Sequence, residues 1–542
     1  MTRYFIFTLS LILSLGLLVP GETLFKTDSA FAGNRSLGKV NFKTSCNRKA
    51  QKRINIAVAL LHHMMYKQAE REFLNAADLD PSCAMAFWGI AMTQFHPLWA
   101  PPSNSELLKG NAAIQKAKRL NPGNQREQEY ISAVEAFYNG WKDKDHKSRI
   151  AAWSDGQKVV LDNNPNDVDA TAFYALSLLA TAPKKDKEFT NQKKAGEMLE
   201  NHMKKNRRHP GLFHYTIHAY DNPVLAERGV KIANGYDKIA PNVPHALHMP
   251  SHIFVRLGMW PQTINWNIRS AKAAEEQSKD AMSLHYIHAV DYLIYAYLQQ
   301  GQYQKAAQLL EKVNGIQNYQ DSFATAYGLA GAQSRSIIEQ KKWDEAATIQ
   351  VRSHSEFPWD KYPQYEAITY YVKGLGAARS GDIASAKKDK AMLDQLYAAT
   401  VNNGQSYWAT IVDAQRQTVD AWITYESGDK AKGLQMMQVA ADLEDSVDKH
   451  PVTPGAVMPA RDMLGDMLLM SDRPGDALAA YEASLKISPK RFYSLYSAGY
   501  SAETAGDSEK AVQYYSKLVD VTTKADKENE RITHAKDYIN NN

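Results

Sequence analysis

Apolar and small residues recur at helical spacing from about residue 50 to 522, and no window alternates apolar with polar residues as a strand does. The clearest stretch is YKQAEREFLNAADLDP (66–81). Tyr66, Ala69, Phe73 and Ala76 fall three or four residues apart on one helix face, and Pro81 ends the run. Near the other end Gly465, Ala477 and Tyr481 recur as Gly499, Ala511 and Tyr515, each 34 residues later, with KISPKR (486–491) breaking the helices between them. GMWPQTINWNIRSA (258–271), GQYQKAAQLLEKV (301–313), KKWDEAATIQ (341–350), GDIASAKKDKAML (381–393) and GDKAKGLQMMQVA (428–440) each predict a helix after a Gly- or Lys-rich turn. The proline-rich stretches HPLWAPPSNSE (96–106), SEFPWDKYP (355–363) and DKHPVTPGAVMP (448–459) cannot be helical throughout and predict loops.

The aromatic–small–aromatic–small–proline pattern and its 34-residue recurrence resemble the tetratricopeptide repeat. The resemblance implies an all-α, TPR-like helical solenoid, with antiparallel helix pairs stacked into a superhelix and first helices lining its concave face. Small residues let neighbouring helices approach to about 8–10 Å, and aromatics fill the space between repeats. The chain divides into a signal peptide (1–32), a lead-in (33–49), N-terminal repeats with insertions (50–200), histidine-rich central repeats (201–300), C-terminal repeats (301–525) and a polar tail (526–542).

At 542 residues the chain is too long for one compact core, which fits a repeat array. With 44% hydrophobic and 23% charged residues and a mean hydropathy of −0.47, it is not a membrane bundle. The net charge is only +5 and KKNRRH (204–209) is short, which argues against a nucleic-acid partner. At the start, Arg3, the apolar run Phe5 to Val19, Pro20-Gly21 and Ala30-Phe31-Ala32 predict a cleaved export signal with the mature chain beginning at Gly33. The run is short of a membrane span, and no cysteine lies close behind it to carry a lipid anchor. Asn34-Arg35-Ser36 is the one glycosylation sequon, so a bacterial periplasm is favoured over a eukaryotic secretory route, and the destination is periplasmic or extracellular. Export places the two cysteines in an oxidising compartment. Cys46 precedes the first predicted helix and Cys83 follows the second, so antiparallel packing brings them together as a disulfide; two unpaired buried thiols are the alternative.

Half of the sixteen histidines lie between 209 and 288, at 209, 214, 218, 245, 248, 252, 285 and 288. His214 and His218 are one helical turn apart, as are His248 and His252, and the two pairs are offset by 34 residues. On the geometry the resemblance implies, His214 and His248 share one inward step, and His218 and His252 share the next. His245 and His288 share another, and Asp291 stands where His214 and His248 do. His62 and His96, again 34 apart, also face inward, so a histidine-lined groove is implied. Imidazoles at i and i+4 stand about 6 Å apart at Cβ and can share one ion, so His214, His218, His248 and His252 are candidate metal ligands. His245, His288 and Asp291 are candidates for further ligands or for groups that orient a ring. The ion is zinc or copper, or iron or manganese if Asp291 joins; Met249 and Met259 add weight to copper.

Trp99, Asp221 and Arg256 complete the expected groove with His62 and His96; Arg256 either holds an anion or pairs outward. The groove's partner is a peptide, an envelope protein or a small ligand. The histidines also fit a metal-free polar groove or purely structural packing. His-Glu-x-x-His, a glycine-rich phosphate loop and a serine elbow are all absent, so no catalytic residue is assigned. The leading reading is therefore an exported binding protein with a metal site. A metal-free scaffold and a metal-dependent enzyme are its rivals. Pro250 between His248 and His252 leaves one point open: it kinks a helix begun at Pro244, or it begins a new one and His248 leaves the shared face.

Overall fold

The structure is a computed structural model and describes residues 36–542. The predicted signal peptide and its cleavage site lie outside the described residues. These fold as helix after helix, and the one strand-like feature among them is an isolated bridge between Met282 and Tyr319.

Successive helices differ in how fully they are covered. Ala84–Thr93 buries all ten of its residues, and Leu284–Gln299 buries all but two. Both carry apolar or small residues on every side, as a helix packed on both faces must. Their neighbours are buried along one stripe: Tyr66–Leu79 through Tyr66, Ala69, Phe73, Ala76 and Ala77, and Tyr303–Gly315 through Ala306 and Val313. Inner and outer helices therefore alternate, the build of an all-α helical solenoid. The recurring glycine has a steric cause. A Cβ on Gly465 would lie 2.6 Å from the Tyr481 ring, and one on Gly499 would lie 2.6 Å from Tyr515.

Cys46 and Cys83 form a disulfide across 37 residues, fastening the start of the Arg48–His62 helix to the start of Ala84–Thr93. Closing a loop of that length stabilises the fold by about 4 kcal/mol on chain-entropy grounds. The stretch 341–350 is helical only over Trp343–Ala347, and the last residues contain a helix, Glu530–Asn541, that docks through Ile532 and Ala535.

The loop 448–459 runs inside the array and positions the site. Tyr292 Oη donates to the carbonyls of Pro451 (3.1 Å) and Thr453 (3.0 Å). Arg335, wholly buried, donates to the carbonyls of Gly455 (2.8 Å) and Ala456 (2.9 Å). His450 Nε2 reaches back across 351 residues to the carbonyl of Trp99 at 3.1 Å. The chain thereby closes a lid over its own central repeats.

Candidate metal centre

The clustered histidines come from inner helices. Pro210–Tyr220 carries His214 and His218, Pro244–His248 and Pro250–Arg256 carry His245, His248 and His252, and Leu284–Gln299 carries His285 and His288. Proline at the first helical position suits the first two starts, since its missing N–H has no partner there anyway. At Pro250 the helix kinks without ending its register. Met249 keeps helical angles (φ −50°, ψ −40°), so His248 and His252 stay on one face with ring centres 4.9 Å apart.

Three groups among the described residues come close enough to hold an ion: six of these rings form His214–His218–His245 and His248–His252–His288, and His62, Asp169 and His209 form the third. All six are buried, and within each group the candidate ligand atoms lie within 4.8 Å of one another. The tautomers of the second group follow from its surroundings. Asn267 donates its amide N–H to the Thr263 carbonyl (2.8 Å), so its oxygen faces His248 and accepts the Nδ1–H at 2.7 Å. His252 donates its Nδ1–H to Asp221 Oδ2 at 2.8 Å. Both rings are then left with a bare Nε2, and these two atoms face each other at 3.1 Å. Two lone pairs at that distance repel unless a cation lies between them. Two nitrogens on one tetrahedral zinc, at bonds of ~2.0–2.1 Å, stand roughly 3.3 Å apart.

The first group is bare as well. His214 donates Nδ1–H to the His62 carbonyl (2.6 Å), which leaves its Nε2 without a partner. His218 Nε2 and both nitrogens of His245 are also buried and unpartnered. Each such atom costs about 1–3 kcal/mol if nothing meets it. Burial, then the neighbouring imidazoles, hold His214, His245, His248 and His288 well below the usual histidine range. Burial takes His218 down to about 3 and His285 to about 4. The rings are neutral, the form that binds metal.

Behind His252 stands a charged network. Burial pushes the Asp221 carboxyl up, but Lys449, Arg256 and the His252 N–H together hold it well below its usual range. Lys449 Nζ lies 2.9 Å from Oδ2 and Arg256 Nε 2.9 Å from Oδ1. Arg256 also spans both oxygens of Asp448, at 2.9 and 2.8 Å. Asp221 therefore orients a ring and is itself oriented, the arrangement that fixes ligand histidines in metal sites. Arg256 pairs inward with two carboxylates.

The remaining expected residues take other places. Asp291 does not join the imidazoles: Arg335 Nε donates to its Oδ1 at 3.1 Å, and burial raises its carboxyl to about 6. The same arginine anchors the 448–459 loop, so Asp291 supports the lid. His62 and His209 both donate to Asp169 Oδ1, at 2.9 and 3.1 Å, and Tyr215 Oη stands 3.1 Å from His62 Nδ1. That ring's two nitrogens are satisfied without an ion. His96 packs on Tyr66 with ring centres 4.6 Å apart, and Trp99 packs edge-on to His245 at 5.4 Å.

Sequence reasoning missed Asn267, Lys449 and His450. His450 accepts from the Val452 N–H at Nδ1 (3.1 Å) and donates from Nε2 to Trp99, so it closes the site without a lone pair to offer. Its only signal was the three-proline loop itself. Between Trp99, His218, His245, His252, His285 and His288 lies a cavity of about 20 Å³, room for one water-sized body. A second opening of about 450 Å³ shares Arg256, Asp448 and Lys449 in its wall and is lined further by Tyr327, Tyr407 and Trp408.

Residues 463–528 match the tetratricopeptide repeat family, so the last helix pairs are such repeats by sequence as well as by build. No curated protein matches the chain. Among solved structures, the human IFIT1 dimer with m7Gppp-AAAA is similar at 11% identity over 88% of this chain and 98% of that one, with a TM-score of 0.36. Yeast Tom70 is similar at 12% identity over 91% of this chain and 95% of that one, with a TM-score of 0.27.

Proposed function

We propose that this chain of tetratricopeptide type is an exported binding protein whose interior holds a transition-metal ion on neutral imidazoles, taking up the metal itself or a ligand the metal holds. One observation carries the reading: the Nε2 atoms of His248 and His252 stand 3.1 Å apart with both ring protons committed elsewhere. A cation between them converts a repulsive contact into two bonds. The donors are all imidazole nitrogen, which suits zinc or copper. With Asp291 held by Arg335, no carboxylate among the donors favours iron or manganese. Three imidazoles leave a coordination position open, the place for a captured ligand or, in a metal-dependent enzyme, for a reacting water. The disulfide supports an oxidising destination.

The test uses the untagged chain, stripped with a chelator and reloaded with zinc or copper before desalting. At least one ion per chain is expected to stay, with a raised melting temperature, because a ligand that binds only the folded state stabilises it. Retention below about 0.2 ion per chain overturns the reading. The opening of about 450 Å³ with its aromatic wall supports a second one, a scaffold that grips a peptide or envelope protein. Under it, partner binding is indifferent to chelator.

A further inference from the structure

We propose that the centre is dinuclear: His214, His218 and His245 hold a second ion beside the one on His248, His252 and His288, and the fitting pair is two monovalent copper ions. The inference rests on the metal reading above and deepens it.

Filling the second group alone leaves the first unexplained. His214 Nε2, His218 Nε2 and both nitrogens of His245 remain buried with no partner, and the His62 carbonyl fixes the His214 lone pair inward. The two groups are also contiguous. Between them, His218 and His252 have ring centres 5.5 Å apart, and His245 and His248 6.0 Å. Within them the spacing is the same, 4.9 Å for His214–His218 and 6.4 Å for His252–His288. One ion cannot collect all six rings in a tetrahedron, whereas two ions of three ligands each use every one.

Charge selects the metal. The groups around the rings cancel: Asp221 and Asp448 against Arg256 and Lys449. Within this network no anion is left over to offset two dications. At a given separation two dications repel four times as strongly as two monovalent ions. Imidazole is a good copper ligand, and the cavity of about 20 Å³ between the groups has room for one small bridging molecule and no more.

The experiment loads the untagged, chelator-stripped chain with cuprous ion without oxygen, removes the excess and counts copper per chain. Two ions are expected. The His214→Ala, His218→Ala variant and the His248→Ala, His252→Ala variant are each expected to hold one. One ion in the unaltered chain overturns the pair and leaves the metal centre standing; none overturns both. Two ions that persist in the His214→Ala, His218→Ala variant place the second ion elsewhere and also overturn the pair. If the first variant melts below the working temperature, His214→Gln, which keeps a side chain of similar reach, replaces it, and His248→Gln replaces the second in the same case, each with the loss of one ion expected.

Discussion

Taking the metal-free chain from pH 7 to pH 5 is expected to unfold it. Burial and then neighbouring imidazoles lower His214, His218, His245, His248 and His288; burial lowers His252 against the pull of Asp221, and His62, His63, His285 and His450 are lowered too. In the unfolded chain each regains its ordinary value near ~6.5. Below that pH the unfolded state binds protons that the folded state refuses. Stability is therefore complete above about pH 6.5 and falls as the pH drops through that value toward the folded ones, such as about 3 for His218. Each ring contributes about 1.4 kcal/mol per pH unit in that window. Several rings lowered in this way draw on a typical total of only about 5–15 kcal/mol. The check is the helical signal of chelator-treated protein followed by temperature at pH 7, 6 and 5. A melting midpoint unchanged from pH 7 to pH 5 contradicts the burial described.

The second large effect belongs to Asp221→Asn. The Asp221 side chain is 5% exposed, and its carboxylate answers three donors, from His252, Arg256 and Lys449. Removing its charge leaves buried cations under-compensated, a loss of about 3–5 kcal/mol. It also frees the His252 ring to adopt the other tautomer, and removing such a partner lowers metal affinity about 10–100-fold. Asp448→Asn separates the two effects. Asp448 pairs with Arg256 but does not touch His252, so stability falls while metal affinity changes by less than about threefold. Equal affinity losses in the two variants contradict the orienting role given to Asp221.

Local residue patterns made the architecture legible because tetratricopeptide packing is local. Gly465 and Tyr481 lie in consecutive helices, and the ring needs the missing Cβ. The same locality made the histidine pairs readable: His214 with His218 and His248 with His252 are one turn apart, and helix stacking sets them side by side. The sequence left Pro250 undecided because the outcome depends on Met249 keeping helical angles, which the surrounding packing decides. Asp291 was read from its register with His214 and His248, but register does not reveal a competitor. Arg335, 44 residues away, claims the carboxylate. Least legible was the lid: Lys449 and His450 meet residues 228 and 351 positions earlier, and no periodicity spans that distance.

The most direct measurement is X-ray absorption at the edge of the bound metal in the reloaded, untagged chain. Nitrogen neighbours at about 2.0–2.1 Å are expected, together with the outer-shell scattering of imidazole rings. A first shell of oxygen without imidazole scattering, or no retained metal to measure, contradicts the imidazole-held ion.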